Sequence, residues 1–142
     1  MKKFAFSLQR LLNLREFQEK EAEVDLGKAI AVREAIQLEL DTVAAQRVST
    51  ASSRHTNTSI QDLLAIEQYI ARLDIKKEDL LQKLTSAEMV VESKREKYIA
   101  ATRDRRVISK LREKKMNSWH KEVLNEEASV LDDITNFSDR KI

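Results

Sequence analysis

His55 and His120 have the best claim to metal or acid–base chemistry in this sequence, and their surroundings supply neither. They lie about 65 residues apart, and neither has a ligating side chain at i+3 or i+4, the spacing that sets two ligands on one helical face. Asp and Glu are plentiful, but carboxylates spread along charged helices lack the enclosed pocket that tunes one of them for catalysis. A chain with 1 Gly cannot build a glycine-rich phosphate loop, and 0 Cys removes thiolate nucleophiles, disulfides and cysteine metal sites. Trp119 suits packing or an interface better than a cofactor contact. The expectation is a protein without catalytic, cofactor or metal residues, whose chemistry is recognition.

Recognition chemistry is present as blocks of charge. The formal net charge is only +2. Residues 103–121, RDRRVISKLREKKMNSWHK, nevertheless carry eight Lys or Arg against Asp104 and Glu113. The first fifteen residues add Lys2, Lys3, Arg10 and Arg15 and no acid. Further on, Glu122, Glu126, Glu127, Asp132 and Asp133 form an acidic stretch. Each block taken singly reads as a solvated helical face. If the fold brings the two basic blocks to one pole, that pole suits an acidic partner. Nucleic acid fits it poorly, because there is no zinc motif, reading helix or aromatic stacking platform.

The elements that position these blocks follow from composition and period. With 0 Pro, 1 Gly, 35% charged residues and 5% aromatics, the chain has few places to reverse and reads as long helices. A first apolar seam runs Leu8, Leu12, Arg15, Glu19, Ala22, Leu26, Ala29, Arg33, Ile36, Leu40, Val43, Arg47, a heptad stripe with four polar interruptions. It stops at VSTASSRHTNTS, residues 48–59, where eight of twelve side chains are Ser, Thr or Asn and compete with helical backbone bonding. Ser59-Ile60-Gln61-Asp62 has the form of a capping box. A second seam follows through Leu63, Ile66, Ile70, Leu73, Lys77, Leu80, Leu84, Ala87, Val91, Lys94, Tyr98, Ala101, Arg105 and Ile108. It then drifts through Leu111, Met116, Trp119, Val123, Val130, Ile134 and Phe137.

These features predict an all-α fold: two long helices in an antiparallel coiled-coil hairpin with an overhanging C-terminal helix. Residues 1–142 form one elongated domain, with helix one over about 5–48, a turn over about 49–58 and helix two over about 59–137. At about 1.5 Å per residue the helices are roughly 65 and 115 Å long. A fold near Arg54 sets position 10 opposite about 98 and position 3 opposite about 105, leaving residues beyond roughly 108 without a partner in the hairpin. No stretch approaches the roughly 18 apolar residues of a membrane span. The basic opening MKKFAFSLQRLL is interrupted by Gln9 and Arg10 where a signal peptide would be apolar. A soluble cytoplasmic protein is expected.

KFAFSLQRLLNLREFQEKEAE, residues 3–23, resembles the opening of FliJ-type proteins of the bacterial flagellar type III export apparatus: alternating Phe, then L-x-R-[LV]-L-x-[LI]-R, then a glutamate-rich helix. Phe4, Phe6, Leu8, Arg10, Leu12, Leu14 and Arg15 stand in those places, and RRVISKLREKK, Arg105 to Lys115, is similar to the family's basic segment in helix two. The resemblance covers nearly the whole chain. It implies a non-catalytic stalk, similar to the shaft of rotary ATPases, whose paired termini enter and promote a hexameric export ATPase. That position would also give the overhang its missing partners. It further implies that the turn end contacts the cytoplasmic domain of the export gate, that export chaperones are escorted, and that the protein is peripheral at the cytoplasmic face of the inner membrane.

By that resemblance the ATPase-facing residues are Phe4, Phe6, Leu8, Arg10, Arg15, Arg105, Arg106, Lys110 and Arg112, and the gate-facing residues are Tyr69, Leu73, Lys76 and Leu80. Two other readings of the same residues stay open. Phe4, Phe6 and Leu8 could simply seal the hairpin end of a generic cytoplasmic coiled-coil adaptor. Alternatively Phe4, Leu8, Leu11 and Leu12, flanked by Lys2, Lys3, Arg10 and Arg15, could lie on an anionic membrane surface. Leu73 and Leu80 lie on the second seam, where burial competes with partner contact, whereas Tyr69 is off it.

Overall fold

The computed structural model describes residues 2–56 and 59–140. Helix α1 covers Gln9–Ser52, a single 3-10 turn covers Ser53–His55, and helix α2 covers Ile60–Arg140. No strand occurs among the described residues. The fold is therefore the all-α helical hairpin that the two apolar seams require.

The polar run did not end α1 where its composition suggested. Ser52 Oγ donates to the Val48 carbonyl at 3.0 Å and Ser53 Oγ to the Ser49 carbonyl at 3.3 Å. These hydroxyls bond one turn back, so they are satisfied without leaving the helix. The helix consequently continues past 48 to Ser52. The Thr56 N–H (3.3 Å) and Thr56 Oγ1 (3.0 Å) both donate to the Ser53 carbonyl and close the 3-10 turn. Asn57 and Thr58, part of the expected turn, lie outside the described residues. Directly after Ser59, α2 begins, and the Ser59 carbonyl accepts the Leu63 N–H at 3.1 Å.

The chain divides into two compact units. One comprises Glu21–Ile99. Its core is Leu40, Val43, Leu73 and Leu80, with Ile36 and Leu84 packed against it. Ala29, Ile70, Ala87 and Val91 are also buried. Every one of these residues lies on a predicted seam. The polar seam positions behave differently. Arg33 is half-buried and reaches its neighbour Glu34, while Arg47 and Lys77 are exposed. Arg47 Nε meets Asp74 at 2.8 Å and Arg54 Nε meets Glu67 at 2.7 Å, fixing an antiparallel register across the helix pair.

The other unit comprises Met1–Lys20 and Ala100–Ile142. Here Leu12 is buried, and Leu8, Leu11, Ala101, Ile108 and Leu111 are half-buried. Glu19 accepts from Arg105 Nε at 2.9 Å, Arg15 lies 3.7 Å from Asp104, and Gln9 Oε1 accepts from Arg112 Nε at 3.1 Å. The polar interruptions of the first seam, Arg15 and Glu19, are thus cross-helix partners rather than flaws.

This pairing corrects the expected register. Gln9 faces Arg112, so position 10 does not lie opposite 98, and internal partners extend well past 108. Arg54 already pairs with Glu67, so the chain reverses later than Arg54. In an antiparallel pair, a later reversal displaces each partner by twice the shift. The overhang is correspondingly shorter: from Leu124 to Arg140 every residue is exposed.

Candidate partner-binding site

Residues 2–6 are not helical, although helix one was expected from about 5. Instead they form a strap laid against α2. There Phe4 meets an aromatic partner, a contact worth about 0.5–1.5 kcal/mol beyond the area it buries. Its ring centroid lies 6.0 Å from that of Trp119, tilted by 54°. The Arg112 guanidinium stands 5.5 Å from the Phe4 centroid, a cation–π arrangement. Trp119 Nε1 donates to the Lys2 carbonyl at 3.0 Å, giving the indole its hydrogen bond and pinning the start of the strap. At the other end of the strap, the Gln9 N–H bonds the Phe6 carbonyl at 3.1 Å and turns the chain into α1. A cleft of about 970 Å³ lies between strap and helix, with Lys3, Phe6, Lys115, Trp119, Val123 and Glu126 among its lining.

The expected site residues on this unit fall into two groups. Arg10, Arg106 and Lys110 are exposed. Arg15, Arg105 and Arg112 are half-buried and held internally, by Asp104, Glu19 and Gln9 respectively. Phe4, Phe6 and Leu8 are also half-buried. Lys2, Lys3, Arg103, Lys114, Lys115 and Lys121 add exposed positive charge on the same unit. The aromatic clasp was not visible in the sequence as a contact. Phe4 and Trp119 stood out as types, but their meeting depends on a register that seam spacing does not fix.

On the other unit, Tyr69 is 41% exposed and Lys76 is exposed, whereas Leu73 and Leu80 are core residues at 5% and 3%. Near them the hydrogen bond from Arg47 holds the Asp74 carboxyl below the usual carboxylate range. The same bond raises Arg47. Among the described residues no group of three or more His, Cys, Asp or Glu could hold a metal ion. No helix of the described residues is long and apolar enough to cross a membrane.

The fold is an all-α helical hairpin, with most of its charge displayed on helix faces and its buried apolar residues on the seam between the helices. The family described as Flagellar FliJ protein matches residues 4–140, nearly the whole described chain, and the chain belongs to that family. It is thereby a component of the flagellar protein export apparatus, from a family of non-catalytic export components. No curated protein and no solved structure gave a significant match.

Proposed function

We propose that the chain is a stalk-like coiled coil that binds and promotes the hexameric flagellar export ATPase and links it to the cytoplasmic domain of the export gate. In this reading it has no enzymatic activity of its own, works in the cytoplasm at the inner membrane through the export apparatus, and escorts export chaperones. The observation that carries the proposal is the family match over residues 4–140. The exposure of Arg10, Arg106 and Lys110 on one unit supports it, because free cations can meet an acidic ring lining. Arg15, Arg105 and Arg112 then act by holding the helix pair, and Phe4, Phe6 and Leu8 by shaping its end. On the gate side, the accessible candidates are Tyr69 and Lys76, with Leu73 and Leu80 supporting them from the core.

Binding to the purified export ATPase of the same organism tests the ATPase half. Wild type should co-elute with it on a sizing column, and Arg10→Glu/Arg106→Glu/Lys110→Glu should weaken binding by about tenfold or more, with marked salt dependence. Equal binding by the variant would remove the basic face from the interface.

A further inference from the structure

Past Val123, α2 continues to Arg140 with no described residue buried or half-buried, yet its apolar side chains are ordered by face. Leu124 is 63% exposed, Val130 56%, Leu131 63% and Ile134 57%. At 3.6 residues per turn, Val123, Val130 and Ile134 prolong the line of Met116 and Trp119, with Leu124 and Leu131 beside it. Met116, Trp119 and Val123 are half-buried, so this line is the hairpin seam carried on after its covering ends. Scattered exposed hydrophobics need no explanation, but apolar residues that return to one face do, here on both sides of Glu127. Val130 and Ile134 also line a shallow depression whose rim carries Asp133.

The charge beside the stripe has one sign. Glu122, Glu126 and Asp133 fall along one flank of the stripe and Glu127 on its line, while Asp132 and Asp139 lie on the opposite face; no Lys or Arg occurs between Glu122 and Asp139. In paired helices the residues flanking the apolar seam select the partner by complementary charge. We propose that residues 123–139 are half of a coiled coil, completed by a Lys/Arg-flanked amphipathic helix of another protein lying where α1 leaves the seam open.

A second copy fits this surface poorly. Overhang against overhang would set Glu126, Glu127 and Asp133 of one copy near the same acids of the other, which is repulsive. The basic stretch 103–121 of a second copy has its seam residues Ile108, Leu111 and Arg112 already half-buried within its own unit. The partner class is therefore a basic, apolar-striped helix. This surface is distinct from the basic face assigned above to the ATPase, and the inference does not rest on that assignment.

The test uses the whole chain and two labelled peptides of about four heptads, with Leu and Ile at the seam positions and either Lys or Glu at both flanking positions. Fluorescence anisotropy should show the Lys-flanked peptide binding at least about tenfold more tightly than the Glu-flanked one, and losing affinity as salt screens the flanks. Val130→Asp/Ile134→Asp should reduce that binding by about tenfold or more, with the helical circular dichroism preserved because both positions are exposed. Val107→Asp, at another exposed apolar position of the same unit, should leave binding unchanged. Equal binding of the two peptides, no binding of either, or full binding by the double variant would overturn the proposal. So would a dimer of the chain in sedimentation equilibrium that the double variant abolishes, since a second copy would then cover the stripe.

Discussion

Individual residues here carry small, separable energies. Gly27 sits in the interior of α1 and is exposed, and a Cβ added there would meet nothing within 4 Å. Gly27→Ala should therefore stabilise the protein by about 1 kcal/mol, the difference in helix propensity, and raise the thermal midpoint. An unchanged or lower midpoint would mean that the glycine serves something other than the helix. Asp74 titrates with a sign that can be worked out. Its folded-state pKa is depressed by the Arg47 hydrogen bond, so the stabilisation is present above the unfolded carboxylate pKa and fades as pH falls through the lowered folded value. Asp74→Asn should thus melt slightly below wild type at neutral pH and coincide with it once the pH has fallen below the lowered folded value. A gap that persists in acid would show that the carboxylate charge is not its source.

At the scale of elements, the seams were legible because burial in a helix pair imposes a 3-4 period that the sequence displays directly. Leu40, Val43, Leu73 and Leu80 stand out from spacing alone, as does the return of the period at Ile60. Register and helix ends were not legible. Ser52 and Ser53 look like helix breakers by type, but their hydroxyls found carbonyls one turn back, and nothing in the sequence distinguishes that from a cap. The strap was hidden for a related reason: Leu8 and Leu12 set a helical period that extrapolates back to Phe4, whereas Trp119 offered Phe4 a better partner. Since the chain has one Trp, Phe4→Ala should shift its fluorescence to the red by admitting water. It should also cost about 0.5–1.5 kcal/mol for the lost aromatic pair. An unshifted spectrum would mean that Phe4 does not shield the indole.

Within each unit the buried apolar residues lie on the helix seam, and most of the charged residues stay exposed. That division suits a protein whose work is done by binding. Membership of a flagellar export family gives the binding a setting. The fine assignment of faces could not come from spacing alone, because Arg105 and Arg112 look like free cations in the sequence and prove to be cross-helix partners. The exposed trio Arg10, Arg106 and Lys110 emerges only once those pairings are known. Action of this chain on the export ATPase, as proposed, is read most directly from that enzyme's rate of ATP hydrolysis and its hexamer content, with and without the chain. Stimulation together with more hexamer, both lost in the Arg10→Glu/Arg106→Glu/Lys110→Glu variant, is the predicted result. An unchanged rate and unchanged assembly at saturating chain would contradict it.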